Sequence, residues 1–201
     1  MKKNLDCMTP FLSDQDFIRS DIPMTKQEVR EVSVCRLHLF ENSVLYDIGC
    51  GTGSVSVEAA RLSKNIRVYS LDSNPAALEL TKKNAEKFGL KNISVKEGLA
   101  PLGLEELPPA DSAFIGGTKG QLKEILQALY KKNPSMRLVI NALSLESLGH
   151  IQTVLKDFPH ENFEAVQLSV SKAEKAGGYH LLKAQNPVFI FSFDFSAKGD
   201  L

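Results

Sequence analysis

Three glycines at alternate positions follow a short apolar run with one acidic residue, and this is where the chain could do chemistry. The run at 43–48 contains Asp47, and Gly49, Gly51 and Gly53 come directly after it. Glycine accepts the positive φ angles of a tight turn and leaves room for a ligand beside the backbone. Helical spacing of apolar residues resumes after the last glycine. The stretch therefore predicts a buried strand, a turn and a helix N-terminus, which can bind a polar ligand.

The spacing around the glycines favours one class of co-substrate. A dinucleotide-binding turn needs glycine or alanine five positions after its first glycine, and here that position is Ser54. Asp47 would suit an amino group on the ligand, whereas Asp72, at the end of the next apolar run, could hold ribose hydroxyls. S-adenosylmethionine carries both groups. The pattern therefore predicts S-adenosylmethionine in preference to a nicotinamide cofactor.

Composition excludes several classes of protein. The 201 residues include 24 basic and 24 acidic side chains, so no net charge attracts the chain to nucleic acid. The three cysteines (Cys7, Cys35 and Cys50) lack zinc spacing and cannot all pair, which predicts reduced thiols in a cytoplasmic protein and no metal site. Neither a signal peptide nor a run of about 18 apolar residues is present, so we expect no membrane partner.

The elements that position the glycine turn can be predicted from the hydrophobic pattern. Residues 1–21 read as an N-terminal arm or cap, and residues 22–195 as one domain. A helix should begin at Thr25, which with Glu28 forms a capping box. We expect that helix to bury one face, formed by Val29, Val32, Cys35 and Leu39.

Strands alternate with helices through the middle of the chain, and the C-terminal part differs. Strand patterns at 66–71, 93–95, 111–115 and 138–141 each precede or follow a helical pattern. Residues 163–170 and 188–193 also read as strands, but only a long loop joins them, so they should pair antiparallel. The fold class predicted is α/β, a Rossmann-like, doubly wound, mostly parallel seven-stranded sheet with a C-terminal antiparallel hairpin. Ligands should lie at the carboxyl ends of its strands.

Several motifs resemble one family over residues 17–193. They are IPMTKQEVR at 22–30, DIGCGTGSVSVEAA at 47–60, FIGG at 114–117, VINA with a following LE at 139–146, and GGY at 177–179 with NPV at 186–188. They resemble the class I methyltransferases of the cobalamin pathway that methylate C15 of cobalt-precorrin-6B (or precorrin-6B) and decarboxylate the ring C acetate. This family includes the precorrin-8w decarboxylases, also described as the decarboxylating subunit of precorrin-6Y methyltransferase.

The resemblance implies a set of contacts and partners. The S-adenosylmethionine contacts it implies are Thr25, the loop Gly49, Cys50, Gly51, Thr52 and Gly53, Asp72 on the ribose, and Gly98 near the adenine. Leu99 departs from the acidic residue that many class I methyltransferases carry after that last glycine, so adenine recognition should rest on backbone groups and packing. The resemblance also implies a homotetramer, a tetrapyrrole substrate, and a separate C5-methyltransferase acting in the same pathway.

A substrate with several carboxylates should meet cationic and amide groups, although no catalytic residue stands out. Such contacts are worth about 1.5–3 kcal/mol each when well made. The candidates at predicted strand ends and in the terminal loop are Arg19, Gly116, Gly117, Lys119, Asn141, Lys172, Tyr179 and His180. Each lysine could equally be a solvated surface charge, Asn141 a turn or cap residue, and His180 a simple loop residue. Close approach of a flat macrocycle would explain the two glycines.

Two other functions share the same glycine turn. A class I methyltransferase that acts on RNA, protein or another small molecule would have the same cofactor loop. The balanced charge and the lack of a basic and aromatic stripe argue against RNA. A protein that binds S-adenosylmethionine without catalysis, such as a regulatory subunit, belongs to a different class and would be recognised by tight binding without turnover.

Overall fold

The computed structural model describes residues 11–197, which form a three-layer α/β domain. The main sheet contains β1 (Val44–Ile48), β2 (Arg67–Asp72), β3 (Ile93–Glu97), β4 (Ser112–Ile115), β5 (Arg137–Ala142), β6 (His160–Leu168) and β9 (Val188–Phe195). The helices are α1 (Gln27–Arg36), α2 (Ser54–Leu62), α3 (Pro75–Lys87), α4 (Leu122–Lys132) and α5 (Leu145–Val154). The strand order is β3-β2-β1-β4-β5-β9-β6, which confirms the predicted fold class.

The sheet is parallel from β3 to β5, and β9 runs antiparallel to both β5 and β6. Alternate residues of β1 point to opposite faces: Tyr46 joins the core beneath α4 and α5, whereas Leu45 joins the core beneath α1 and α2. The strand order reverses between β1 and β4. Doubly wound sheets open a crevice at the carboxyl ends of their strands at such a point, which is where the glycine turn lies.

The long loop predicted between residues 170 and 188 is wrong, because residues 171–184 form a second, two-stranded sheet. Strands β7 (Ser171–Ala176) and β8 (Tyr179–Ala184) pair antiparallel around Gly177 and Gly178. Gly177 has a φ of +61°, which suits a two-residue hairpin turn. The glycine pair was thus a hairpin signal. The predicted antiparallel pairing of the flanking strands, β6 and β9, is confirmed.

The predicted capping box of α1 is also wrong. The N-cap is Lys26, and no side chain caps the helix. Thr25 instead offers its carbonyl to Nη1 of Arg30 at 2.8 Å, whereas Glu28 pairs with Lys172 of β7 at 2.9 Å. Contacts of Thr25 with Arg30 and of Glu28 with Lys172 therefore replace the predicted cap. Cys35, expected in the core, is exposed, and Val34 is buried instead.

The N-terminal segment is fixed to the domain through buried polar contacts. Leu12 N–H donates to the Glu58 carboxylate at 2.7 Å, and Ile18 N–H donates to the side-chain oxygen of Asn84 at 2.8 Å. Arg30 is fully buried between this segment and α2 and contacts Asp14 and Glu58. The segment therefore packs on α2 and α3. The domain boundary at residue 21 stays a prediction, and Met1 to Pro10 lie outside the described residues.

No helix between residues 11 and 197 is both long enough and apolar enough to cross a bilayer.

Candidate functional site

The glycine turn after β1 has the backbone conformation that its sequence predicts. Gly49, Gly51 and Gly53 have φ angles of +74°, +55° and +73°, which side chains with a Cβ rarely adopt. The amides of Gly49 and Cys50 both donate to the carbonyl of Leu71 at the end of β2, at 2.8 and 3.2 Å. The turn is therefore held against the neighbouring strand, and it leads directly into α2.

Two other segments contact this turn backbone to backbone. A Cβ on Gly51 would lie 2.9 Å from the carbonyl oxygen of Pro23, and one on Gly49 would lie 3.0 Å from the amide of Gly117. A Cβ on Gly116 would lie 3.1 Å from the carbonyl oxygen of Gly49. A Cβ at position 116 would thus be tightly packed, so contact between the loops can by itself explain the glycine there. Of these four glycines, Gly117 alone has no neighbour that a Cβ would meet within 4 Å, so close approach of a ligand remains an explanation there.

These three segments and the neighbouring strand ends enclose a cavity of about 430 Å³. Predicted site residues that line it are Thr25, Gly49, Cys50, Gly51, Asp72, Gly98, Gly116, Gly117, Lys119 and Asn141. These residues follow β1, β3 and β4, lie at the ends of β2 and β5, or precede α1, so the topology brings together segments that are distant in sequence. The fold thus assembles the predicted cofactor residues and part of the predicted substrate residues around one space.

Other predicted site residues do not line this cavity: Arg19, Asp47, Thr52, Gly53, Lys172, Tyr179 and His180. Thr52 and Gly53 are buried beneath the turn, and a Cβ on Gly53 would collide with Thr81 at 2.6 Å. Tyr179 and His180 begin the second strand of the projecting hairpin, where both are exposed. Lys172 forms its ion pair with Glu28. The cavity wall therefore gives these seven no support, and their contacts with cofactor or substrate stay predictions.

The structure adds wall residues that were not among the predicted site residues. They are Ile22, Pro23, Met24, Lys26, Ser73, Asn74, Leu99 and Leu143, among others. Most are immediate neighbours of predicted site residues, and proximity to a predicted strand end or to the start of α1 was the available signal. Lys26 is exposed at the N-cap of α1, beside a helix end whose first amides have no side-chain partner.

Asp72 is built into the wall as an acceptor. Its Oδ2 accepts from the amide of Gly51 at 3.0 Å, and its Oδ1 accepts from the amide of Asn74 at 2.9 Å. These bonds fix the carboxylate between the glycine turn and the start of α3. Each oxygen keeps a further lone pair, so the carboxylate can still accept hydrogen bonds from a ligand in the cavity.

Cys50 also lines the cavity, but its thiol is not activated. The side chain is buried, and Sγ lies 3.5 Å from the hydroxyl of Thr81. Burial, together with the nearby Asp47 carboxylate, raises the pKa of the Cys50 thiol well above its usual range. Since a thiolate is the nucleophilic form, Cys50 acts as a small apolar wall residue and not as a nucleophile.

Asp47 is buried beneath the turn and serves α2. Its Oδ2 accepts from the amide and the hydroxyl of Ser56 at 3.1 and 2.5 Å, and Oδ1 has no partner among the described residues. Burial raises the pKa of Asp47 from 3.8 to about 6, despite the opposing bonds from Ser56. Asp47 therefore has a structural contact with α2 that costs stability when the group ionises, and its contact with the ligand stays a prediction.

This cost predicts a pH-dependent effect of Asp47→Asn. Because the folded-state pKa is raised, the native protein binds a proton between pH 4 and 6 that the unfolded chain has lost, so ionisation lowers stability as pH rises. A shift from 3.8 to about 6 corresponds to about 3 kcal/mol. Urea unfolding at pH 4 and pH 7.5 measures the effect. Because only the wild type loses this stability as pH rises, Asp47→Asn should be more stable relative to wild type at pH 7.5 than at pH 4, by about that amount. A pH-independent difference would contradict this assignment.

Comparisons with known proteins agree with the geometry. The family model for the precorrin methyltransferase domain matches residues 16–194. A relative from Pyrobaculum calidifontis, named probable cobalt-precorrin-6B C(15)-methyltransferase (decarboxylating), is 41% identical over 187 residues, covering 92% of this chain and 95% of the relative.

Two crystal structures are also similar over most of their length. Precorrin-6Y C5,15-methyltransferase from Geobacter metallireducens superposes with a TM-score of 0.85 at 35% identity, covering 91% of this chain and 97% of the other. Precorrin-8w decarboxylase from Methanobacterium thermoautotrophicum has a TM-score of 0.82 at 32% identity, with 90% and 98% covered. The chain therefore belongs to the precorrin methyltransferase family.

Proposed function

We propose that this protein transfers a methyl group from S-adenosylmethionine to C15 of cobalt-precorrin-6B, or precorrin-6B, and decarboxylates the ring C acetate during cobalamin biosynthesis. One observation carries the proposal. A glycine-turn cavity lies at the switch point of the sheet in a chain that is 41% identical, almost end to end, to a relative named for this reaction. The same two features support its assignment as a decarboxylating C-methyltransferase.

The residues around one half of the cavity fit the co-substrate. Asp72 is a carboxylate beside the turn, suited to ribose hydroxyls, and the backbone of Gly49 and Gly51 allows a ligand to approach closely. Gly98 and the exposed Leu99 follow β3 on the same side and would contact the adenine through backbone and packing. When bound, S-adenosylmethionine supplies a methyl group on a positively charged sulfur.

The opposite half of the cavity is suited to a flat, acidic substrate. From β2 to β5 the strand ends span three intervals of about 4.8 Å, or about 14 Å, which separates Asp72 from Asn141. Gly117, Asn141 and Leu143 line this half, whereas Lys119 follows β4 and extends its side chain toward Ser73 on the cofactor side. Methyl transfer needs mainly alignment of the carbon nucleophile and exclusion of water, and the wall can provide both. We assign no general acid or base.

Mass spectrometry of the reaction is the direct test. Cobalt-precorrin-6B is incubated with the protein and S-adenosylmethionine, and we expect a gain of one methyl group and the loss of carbon dioxide. Methyl gain without that loss would contradict the decarboxylating activity. Tight binding of S-adenosylmethionine with no methyl gain on any precorrin would identify a binding protein without catalysis.

Lys119 is the cationic residue that we propose for a substrate carboxylate. It follows β4, has a left-handed φ of +47°, and its Nζ lies 2.6 Å from the hydroxyl of Ser73 in the turn after β2. Backbone strain of this kind is concentrated at functional sites. Because Nζ contacts Ser73, the Lys119 side chain spans from the loop after β4 to the turn after β2.

We expect Lys119→Ala to weaken tetrapyrrole binding by about 10-fold, because one charge-assisted contact is lost. Affinity for S-adenosylmethionine should not change. Lys131→Ala removes an exposed lysine from the last turn of α4 and is the matched control. Absorbance titration with the tetrapyrrole and calorimetry with S-adenosylmethionine measure the two affinities. An equal loss of both in Lys119→Ala would show a folding defect.

The hairpin of β7 and β8 supports the homotetramer expected from the resemblance. Every residue of β8 is exposed, including Leu181 and Leu182, and an isolated two-stranded sheet is only marginally stable in water. Burial of these side chains against other copies would stabilise it. The cytoplasmic location, the absence of bound metal and the separate C5-methyltransferase stay predictions.

Light scattering should give the wild type a mass about four times that of the 22.1 kDa chain. We expect Leu182→Lys to lower this mass, because a charge would replace an apolar contact. Leu102→Lys changes a comparably exposed leucine outside the hairpin, 73% against 77%, and should leave the mass unchanged. A monomeric wild type, or equal effects of both substitutions, would contradict assembly through the hairpin.

A further inference from the structure

Ser33 is a buried hydroxyl in the middle of α1 that bridges the helix to the end of β5. Its Oγ lies 2.7 Å from the carbonyl oxygen of Val29, one helical turn earlier. The same atom lies 3.1 Å from Nδ2 and 3.2 Å from Oδ1 of Asn141. Ser33 is fully buried, so water does not compete for these bonds.

The number of protons on these groups determines the direction of each bond. A serine hydroxyl has one proton, and a backbone carbonyl can only accept. The 2.7 Å contact is the shortest of the three, so the hydroxyl of Ser33 donates to Val29. Toward Asn141 the hydroxyl then offers only lone pairs, and Nδ2 must be the donor. The carbonyl oxygen of Asn141 keeps its lone pairs for another partner.

Asn141 lines the cavity on the side away from Asp72. The side chains near it in the wall are apolar: Val29 of α1, Leu143 after β5 and Val188 at the start of β9. A binding site for a flat ligand usually combines such apolar walls with a few fixed polar groups that set orientation. The amide of Asn141 is the polar group in this part of the wall.

We propose that Ser33 is a positioning residue, which holds the Asn141 amide so that its second Nδ2 hydrogen contacts a carboxylate of the tetrapyrrole. This inference rests on the proposed function. The second Nδ2 hydrogen of an amide fixed in this way is a donor for a side-chain carboxylate of the tetrapyrrole, whose ring nitrogens point to its own centre. In an apolar wall a mismatched polar group stays unpaired, so the orientation of this amide selects the pose of the substrate.

A double-mutant cycle tests whether Ser33 acts through Asn141. We measure kcat and KM for the tetrapyrrole, and its Kd, in wild type, Ser33→Ala, Asn141→Ala and the double variant. With Asn141 present, Ser33→Ala should lower kcat/KM by about 10-fold, chiefly by raising KM. It should have no further effect in the Asn141→Ala background, because the residue it orients is absent. Affinity for S-adenosylmethionine should be the same in all four proteins.

Two further variants separate positioning from folding. Ser112→Ala removes a buried hydroxyl that donates to the Leu37 carbonyl at 3.0 Å, at the opposite end of the sheet, and should leave KM unchanged. Ser33→Thr retains a hydroxyl, so its KM should lie closer to the wild-type value than the KM of Ser33→Ala does. Additive losses in the cycle, or an unchanged KM in Ser33→Ala, would overturn the inference.

The cycle is also informative if the proposed function fails. A wild type that binds the tetrapyrrole without converting it would refute the proposed function, while the four Kd values would still test Ser33. A wild type that neither binds nor converts it would refute both.

Discussion

Asp72→Ala is expected to weaken S-adenosylmethionine binding by between about 10- and 100-fold, because one charge-assisted contact to the ligand is lost. The carboxylate has two roles that the substitution removes together. It accepts from the amides of Gly51 and Asn74, and so fixes the glycine turn relative to α3. It also faces the cavity, where it would meet the ribose. Calorimetric titration with S-adenosylmethionine measures the change.

Asp111 provides a matched control for this experiment. Its Oδ2 accepts from the amide of Val44 at 2.8 Å, so it also fixes a backbone amide, but at the start of β1 and at the opposite edge of the sheet. Asp111→Ala should lower stability and leave S-adenosylmethionine affinity unchanged. Unchanged affinity in Asp72→Ala would remove its assignment to the ribose, and an equal loss in both variants would indicate a general effect of stability.

Arg30→Met is expected to lower the free energy of unfolding by about 3 kcal/mol, because it breaks a buried ion pair without replacing the charge. Arg30 is fully buried and contacts Asp14 at 3.1 Å and Glu58 at 3.5 Å. Its guanidinium also donates to the carbonyls of Leu12 and Thr25 at 2.5 and 2.8 Å. Urea unfolding measures the change in stability.

The matched control for Arg30 is Arg61, which contacts the same Glu58 at 2.9 Å from a partly exposed position. Arg61→Met should cost about 1 kcal/mol or less, since solvent screens the pair. Limited proteolysis should cleave the N-terminal segment faster in Arg30→Met alone. S-adenosylmethionine affinity should also fall there, because Pro23, at the end of this segment, packs on Gly51. Equal effects of the two substitutions would contradict the central role of Arg30.

Buried polar residues outside the glycine turn could not be assigned from the sequence. Arg30 has the helical position of a core residue but the side chain of a surface residue, and only its partners from three segments explain its burial. Asp47 looked like a ligand contact because acidic residues before a glycine turn can face a ligand. In the structure, Ser56 lies in the first turn of α2 and donates to that carboxylate from its amide and hydroxyl. Such pairings depend on packing that no local pattern contains.

The C-terminal part shows the same limit. The predicted candidates Lys172, Tyr179 and His180 were grouped with the site because a loop could have folded back over it. Gly177 and Gly178 instead form the turn of a hairpin whose residues are almost all exposed. Whether a polar segment folds onto the domain or projects from it depends on long-range contacts, and the Lys172 ion pair with Glu28 is one such contact.

The sequence by itself determined the fold class and the glycine turn, because hydrophobic periodicity and glycine spacing are local signals that the backbone must obey. The family followed from motifs that resemble it along most of the chain. The tertiary structure decided which residues share the cavity. In the structure, Asn141 lies beside Ser33, the side chain of Lys119 contacts Ser73, and Asp47 is buried beneath the turn. The physical reason is that each of these contacts joins separate elements, and their distances follow from strand order and helix packing.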